Sequence, residues 1–463
     1  MNTLTKIRKK IVLDKYDLIL FFLTFLSFLA VLYILYPGIL TYDSYTQLKQ
    51  IETGTFSDWH PFIHTFIEMI CLKLRNNPSS IAIFQILFFS LLWTSICKYN
   101  RKNKKIFIYE IVITIFICLN PLNPLYSITL WKDILYCYNI LLLCFIVEIV
   151  YDKKFQITNK LLAFLAIVMA FTYSLRYNGK IVIGLSLVVL IFTLYKKDKI
   201  SKNYLKLPIF TLIGILCIQS LNFIYHVETN QKDALSQKIV QYIGAFAKED
   251  VIKDEDKKII SNYVNLEELT NYYNPYYADT IYECDFSEDI YLKYKKYTYH
   301  TVLNYTFKYP KIFLDFALKS TSLIWQIPSP DDMVGTTIET GVAATNNYKG
   351  LLPRNYGKNY YEKYQDFLSF TKNNKIVSTL LYNAALYFYL SVIVFLFILK
   401  KFKKNCFIII FPSIANIIST IPSLPVQDTR YLYNNFLIFY LIIIIYIKIK
   451  WEVKNETKAS KVS

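Results

Sequence analysis

Charge is absent where a coupled transporter needs it. Ionisable side chains avoid the centres of the long apolar stretches in this 463-residue chain, and Glu110 and Glu148 lie toward the ends of theirs. Proton- and sodium-driven carriers normally keep such groups, or broken helices, near the bilayer midplane. A cysteine pattern is missing too. The eight cysteines form no CxxC and no paired spacing, which disfavours a disulfide framework or a thiolate metal site and leaves them as small buried hydrophobes. There is no HExxH, no internal repeat and no low-complexity tract. The first apolar stretch, 18–36, has no small-residue cleavage motif and runs into Pro37-Gly38, so it reads as a retained anchor rather than a removed signal.

What the chain does have is apolar length. Hydrophobic residues make up 54% and aromatic residues 17%, more than a soluble globule of this size carries. The formal charge of +18 does not indicate nucleic acid, because the lysines fall in short blocks between apolar stretches, the pattern that fixes membrane orientation. Window hydropathy gives roughly ten spans of the length a ~30 Å hydrocarbon core requires. They are 18–36, 81–97, 106–119, 134–150, 161–175, 181–195, 207–225, 377–399, 406–421 and 434–449, with a re-entrant piece compatible near 120–124. If residues 6–10 are cytoplasmic, the basic blocks at 98–105, 152–160, 196–206, 400–404 and after Lys448 all fall on that same face. The expected class is an α-helical polytopic integral membrane protein of the cell membrane, with its chemistry on the extracytoplasmic side.

This reading divides the chain into an N-terminal membrane module (1–226) with a first outer loop (37–80), an extracytoplasmic domain (227–375), C-terminal membrane helices (376–450) and a cytoplasmic tail (451–463). The extracytoplasmic domain reads as mostly helical, since Ile239, Tyr242, Ile243 and Phe246 recur at helical spacing, as do Phe313, Phe316, Leu318 and Ile324. The Gly/Asn/Thr-rich stretch 335–353 reads as a mobile loop.

The reactive residues collect on the outer face. Asp43 follows the first span, with Tyr45 beside it and Gln47 one turn on; taken alone, Asp43 is also a natural helix cap. Asp58, His60 and Pro61 lead into a helix over 62–74, whose Ile63, Phe66, Ile67 and Ile70 share a face suited to lying apolar side down on the membrane. His60 and His64 then project together. With Glu68 they have zinc-compatible spacing, although an interfacial or substrate-contacting role accounts for them better. Three corners carry Trp131-Lys132-Asp133, Arg176-Tyr177-Asn178-Gly179-Lys180 and Gln427-Asp428-Thr429-Arg430-Tyr431. Any one corner is explained by aromatic and basic anchors at headgroup level. Three basic corners on the outer face run against the positive-inside bias, so Lys132, Arg176, Lys180 and Arg430 read together as an anion-binding cleft fit for phosphate.

An acid just after the first span, then Tyr45, Gly54 and a His60-Pro61 pair opening a helix, resembles the first outer loop of the GT-C superfamily of membrane glycosyltransferases. The corners at 131–133 and 176–179 are similar to those of its poorly characterised bacterial members, and the Lys-, Asn-, Ile- and Tyr-rich composition fits an AT-rich bacterial genome. The resemblance departs from the family pattern twice: Ser44 stands where a second acid is usual, and Phe62 where a second proline is common. It implies transfer of a sugar from a polyprenyl-phosphate donor to an extracytoplasmic acceptor such as a cell-envelope glycan, with Asp43 as general base. Tyr45, Asp58, His60, Lys132, Asp133, Arg176, Asn178, Lys180, Gln427, Arg430 and Tyr431 would contact substrate, with Gln427 lining the sugar pocket. No cofactor is fixed by these residues, and a divalent metal is compatible with them. The implied partners are donor, acceptor and bilayer, not nucleic acid. The alternatives are a lipid-linked glycan polymerase or ligase, and a flippase or transporter.

Orientation can be checked by labelling. In a cysteine-free background, single cysteines at Ser57, Asn178, Asn347 and Ser423 are expected to react with an impermeant maleimide on intact cells, and those at Asn103, Ser201 and Asn405 are not. Labelling at Asn103 would invert the assignment.

Overall fold

The structure is a computed structural model that describes residues 14–196, 202–229, 235–329 and 358–459. The stretch 335–353, the labelling positions Asn347 and Ser201, and the basic run 6–10 lie outside the described residues. Among those described there is no strand, only three isolated bridges, and helices account for the fold.

The chain begins with α1 (Lys15–Ile34), capped by Asp14, whose carboxylate accepts from the backbone of Tyr16 and Asp17. Two short helices follow, α2 (Tyr42–Thr53) and α3 (Phe62–Leu74), and then α4 (Ser79–Asn100). The next apolar stretch is α5 (Phe107–Leu119), which bends by 66° into α6 (Leu122–Ile128). Two asparagines occupy the break. Asn123 donates to the Ile117 carbonyl at 2.8 Å and Asn120 accepts from Leu122 N–H at 3.1 Å, which satisfies backbone groups that a bend in an apolar setting would leave unpaired.

The next helices are α7 (Lys132–Asp152), α8 (Asn159–Leu175), α9 (Gly179–Lys196) and α10 (Lys202–Ile224). The outer segment supplies α11 (Ser236–Lys248), α12 (Asp254–Ile260), α13 (Leu266–Asn271), α14 (Glu288–Lys308), α15 (Pro310–Lys319), α16 (Ser322–Trp325) and α17 (Lys358–Asn373). The chain returns through α18 (Lys375–Tyr382), α19 (Ala384–Phe402), α20 (Phe407–Thr420) and α21 (Asn434–Ala459).

Six of these helices are long and apolar enough to cross a membrane, or seven if the bent α5–α6 pair is one span. Two stretches read as spans are shorter apolar helices, α8 and the region of α20. The stretch 377–399 is not continuous: Asn383 separates α18 from α19, accepting from Leu386 N–H at 2.8 Å as a cap while donating to the Gln326 carbonyl at 3.0 Å. A capping asparagine competes with the helical backbone, and hydropathy averages over it.

α7 is the axis of the bundle. It packs against α4, α8, α20 and α21, and most of its side chains are buried, from Asp133 to Val150. The outer segment has a core of its own, built on Val240, Phe246, Tyr263, Leu269, Tyr291 and Tyr305. It is tied to the bundle where Ala278 N–H donates to the Pro425 carbonyl at 2.7 Å and Gln427 N–H to that of Tyr276 at 3.3 Å.

The α8–α9 corner is set by contact rather than by turn chemistry. Gly179 abuts the Thr172 carbonyl so closely that a Cβ would overlap it. Gly179→Ala is therefore expected to push α8 and α9 apart, costing about 1–3 kcal/mol. A thermal unfolding midpoint equal to wild type in detergent would show that the corner has room.

Candidate active site

Two backbone hydrogen bonds bring the first outer loop onto the start of α7. Gly38 takes φ +119°, where side chains are strained and its own Cβ position would face the Ile128 carbonyl at 2.9 Å. Beyond it Ile39 N–H donates to that carbonyl at 2.9 Å, and Leu130 N–H donates back to Ile39 at 3.1 Å. Side chains complete the clip: Ser44 donates to the Leu130 carbonyl at 2.9 Å and Trp131 Nε1 to Thr41 Oγ1 at 2.7 Å. Ser44 needs a donor at this position, and an acid would set a carboxylate against a carbonyl oxygen.

Asp43 is not the cap of α2. Thr41 holds that position, which leaves the Asp43 carboxylate in the first turn, where the helix dipole favours it. One oxygen lies 3.8 Å from His60 Nε2; the other is 3.8 Å from Lys132 Nζ and 3.6 Å from an Arg430 nitrogen. Lys132 also meets His60 Nδ1 at 3.0 Å. Arg176 pairs with Asp133 at 3.1 Å, and Arg430 with Asp428 at 3.2 Å. Both guanidiniums lie over the Tyr431 ring, at 4.5 and 5.0 Å, and Arg430 also lies over Trp131 at 4.5 Å. Cation–π contact of this kind holds an arginine while leaving donors free in its plane. Arg176 Nη1 is buried with no hydrogen-bond partner among the described residues.

Asp43, His60, Lys132, Asp133, Arg176, Arg430 and Tyr431 thus form one connected group. Asp58 and Lys180 line an adjoining cleft of about 180 Å³ with Arg176, Tyr177 and Asn222. The Tyr177 hydroxyl donates to the Asp58 carbonyl across it. Lys180 lies against the Tyr173 and Tyr177 rings. Three other residues lie apart from the group. Tyr45 is buried in the main core, Asn178 donates to Ser423 and the Ser419 carbonyl, and Gln427 spends its amide on Ser320, Ser322 and Leu323.

α3 buries a polar face together with Ile63, which is 6% exposed. His64, Thr65 and Glu68 point into the protein, whereas Ile70 is 45% and Leu74 85% exposed. His60 and His64 diverge: His64 Nδ1 meets Gln47 at 3.0 Å and lies 3.7 Å from Glu68. Among the described residues no group of three or more His, Cys, Asp or Glu is arranged to hold a metal ion. Sequence reasoning passed over Asp279 entirely. It follows the Tyr277–Val426 bridge, accepts from Gln237 at 3.0 Å, and is pushed up by burial while sensing the charges of Arg430 and Asp43. Only the outer segment's docking brings it here, so no local signal could have shown it.

Burial pushes the Asp43 carboxyl up, but the charges of Lys132 and Arg430 outweigh that and hold it below the usual range. Burial, reinforced by Lys132, pushes His60 down to about 3; burial does the same to His64 and pushes Glu68 well above its ordinary value. Asp43 is therefore an ionised acceptor beside neutral histidines.

Compared with protein-family models, curated proteins and solved structures, the chain matches none of them.

These shifts have opposite signs in stability. The unfolded histidines gain protons below about pH 6.5 that the folded ones refuse down to about pH 3, so each adds a slope of about 1.4 kcal/mol per pH unit, stability falling as pH falls. Glu68 acts the other way, its stabilisation present below pH 4.5 and lost as pH rises. His60→Asn is expected to flatten the acid limb of a plot of Tm against pH between 6.5 and 3, and Glu68→Gln to steepen it above 4.5. Parallel plots for wild type and His60→Asn would remove the neutral histidine.

Proposed function

We propose that this protein is a membrane glycosyltransferase of GT-C type, moving a sugar from a polyprenyl-phosphate donor to an acceptor on the extracytoplasmic face of the cell membrane, with about ten spans. The observation that carries the reading is the convergence of one partly open carboxylate, Asp43 at 29% side-chain exposure, with Lys132, Arg430 and the unfilled guanidinium edge of Arg176.

The charges explain how such a site would take a phosphate. Lys132, Arg176 and Arg430 face Asp43, Asp133 and Asp428, so the group is balanced. Lys180 carries no ion pair to a described residue and stands at the cleft beside Arg176. A lipid phosphate would settle between these two, and its chain would run along α10, whose Ile209, Leu212, Ile213 and Leu216 are exposed.

A sugar on a phosphate already has a good leaving group, so a single base suffices where glycoside hydrolysis uses an acid and a base. Asp43 would take the proton of an acceptor hydroxyl as its oxygen bonds to the anomeric carbon, the bond from that carbon to the phosphate oxygen breaks, and configuration inverts. Arg176, Lys180 and Arg430 would stabilise the charge on the departing lipid phosphate. The contacts of Lys132 and Arg430 to Asp43 are 3.6–3.8 Å, beyond hydrogen-bonding reach. A phosphate held by Arg176 and Lys180 would draw Arg430 toward it and, as a nearby anion, raise the proton affinity of Asp43 at the moment a base is needed. His60, neutral, would contact sugar or phosphate.

Asp43→Asn keeps shape and removes the base. It is expected to cost roughly 10²–10⁴ in transfer rate at unchanged abundance, read by mass spectrometry of surface glycans and by turnover of the purified chain; near-normal turnover would move the role to Asp133 or Asp58. Arg176→Lys and Arg430→Lys keep charge but lose the planar fork, and are expected to weaken donor binding. Equal donor affinity in both would end the phosphate-clamp reading.

A further inference from the structure

At the far end of α7 the protein holds a second polar cavity, of about 500 Å³. Asp152 lines it, 20 residues along the helix from Lys132, so it lies roughly 30 Å from the Asp43 group at 1.5 Å per residue. The lining comes from the ends of α4, α7 and α21 and the start of α20. Four lysines border it: Lys102, Lys154, Lys404 and Lys448.

Its charges do not cancel. Lys448, buried, sits between Glu148 at 2.7 Å and Asp152 at 2.5 Å, and Lys404 meets Glu452 at 2.9 Å. Lys102 and Lys154 have no ion pair with any described residue. Four ammonium groups therefore stand against three carboxylates, Asp152 and Glu452 in the lining and Glu148 buried behind Lys448, which leaves one positive charge. The two cations without an ion pair are the exposed ones at the rim, Lys102 lying over the Tyr99 ring at 5.3 Å. Below them the lining is apolar: Phe155, Ile409, Ile445 and Ile449.

The backbone at the rim is forced into place. Lys154 and Phe155 are consecutive non-glycine residues at φ 52° and 64°, a conformation that a bulky side chain adopts only when its surroundings hold it there. Lys154 N–H bonds the Tyr151 carbonyl and Phe155 N–H that of Val150, each at 2.9 Å, while Tyr204 donates to the Phe155 carbonyl at 2.7 Å. The result puts an ammonium at the mouth and a ring in the wall.

We propose that this cavity binds the phosphodiester head of an anionic membrane lipid, with Lys102 and Lys154 taking the phosphate and the Phe155, Ile445 and Ile449 wall taking the first acyl carbons. A single surplus charge matches a phosphodiester monoanion better than a multiply charged soluble phosphate. The apolar wall gives a soluble anion nothing to bury, whereas basic pockets between membrane helices suit lipid head groups. The assignment stands independently of the glycosyl-transfer reading.

The test uses the full chain in neutral detergent, titrated with phosphatidylglycerol, phosphatidylcholine or inorganic phosphate and read by native mass spectrometry and by the shift in Tm. Phosphatidylglycerol is expected to bind at least about tenfold tighter than phosphatidylcholine, and Lys102→Gln/Lys154→Gln to lose roughly 25-fold, as two surface lysines at roughly fivefold each require. Both lysines are exposed, so the fold should survive. Lys105→Gln/Lys160→Gln, which removes equal charge outside the cavity, should bind as wild type. Equal binding of the two lipids, no loss in the rim variant, an equal loss in the control variant, or displacement of phosphatidylglycerol by equimolar inorganic phosphate would each overturn the assignment.

Discussion

The arrangement depends on the clip that joins the loop after α1 to the corner between α6 and α7. Two backbone hydrogen bonds at Ile39, the Ser44–Leu130 contact and the Trp131–Thr41 contact fix where α2 begins relative to α7. Without it, Asp43 and Lys132 sit on elements with no other reason to meet. A buried corner cannot leave its backbone polar groups unpaired, so the same bonds that satisfy it also set the register of the site. α7 then carries that register through the bundle, since most of its side chains are buried between α4, α8, α20 and α21.

Around Asp43 the protein tolerates close charge by balancing it in pairs. Asp133 and Asp428 each hold an arginine that also stacks on an aromatic ring, so the guanidiniums are oriented before any ligand arrives. Asp43 is treated differently: its three neighbours stand off, and its side chain keeps an open face. A carboxylate built only for stability would be closed into a short ion pair like those of Arg101 with Asp17 and Glu110, at 2.9 and 2.7 Å, at the other end of the bundle. The chain thus holds one loosely partnered carboxylate and others in tight contact, and that contrast is the ground on which Asp43 is proposed as the base.

Much of this was legible in the sequence because it depends on local chemistry. Pro61 and the apolar spacing beyond it place a helix over 62–74, and α3 occupies those residues. The corners at 131–133, 176–180 and 427–431 stood out because basic residues at the span ends read as outer break the positive-inside bias, and most of their charged members meet. The break at Asn383 and the polar interior of α3 were not legible, since hydropathy treats a capping asparagine or a buried His64–Glu68 pair as noise in an apolar run. Gln427 looked available because its backbone partners, at Ser320 and Leu323, are more than a hundred residues away. Asp279 failed for the same reason in reverse.

The buried face of α3 carries two ionisable side chains, His64 and Glu68. Burying His64 and Glu68 as ions would cost far more than burying methylenes. Their shifts run in the directions that discharge both, the histidine down to about 3 and the carboxyl well up. Neutral, they cost far less to bury than ions, although His64 Nε2 and both Glu68 oxygens have no hydrogen-bond partner among the described residues, and Gln47 from α2 meets His64 and Thr65 at 3.0 and 2.9 Å. That contact anchors α2 one turn beyond Asp43, opposite the clip at Thr41 and Ser44. The helix bearing the open carboxylate is therefore held on both sides of it, by backbone at its start and by a neutral polar cluster beneath, so Asp43 can remain exposed without its helix having to move.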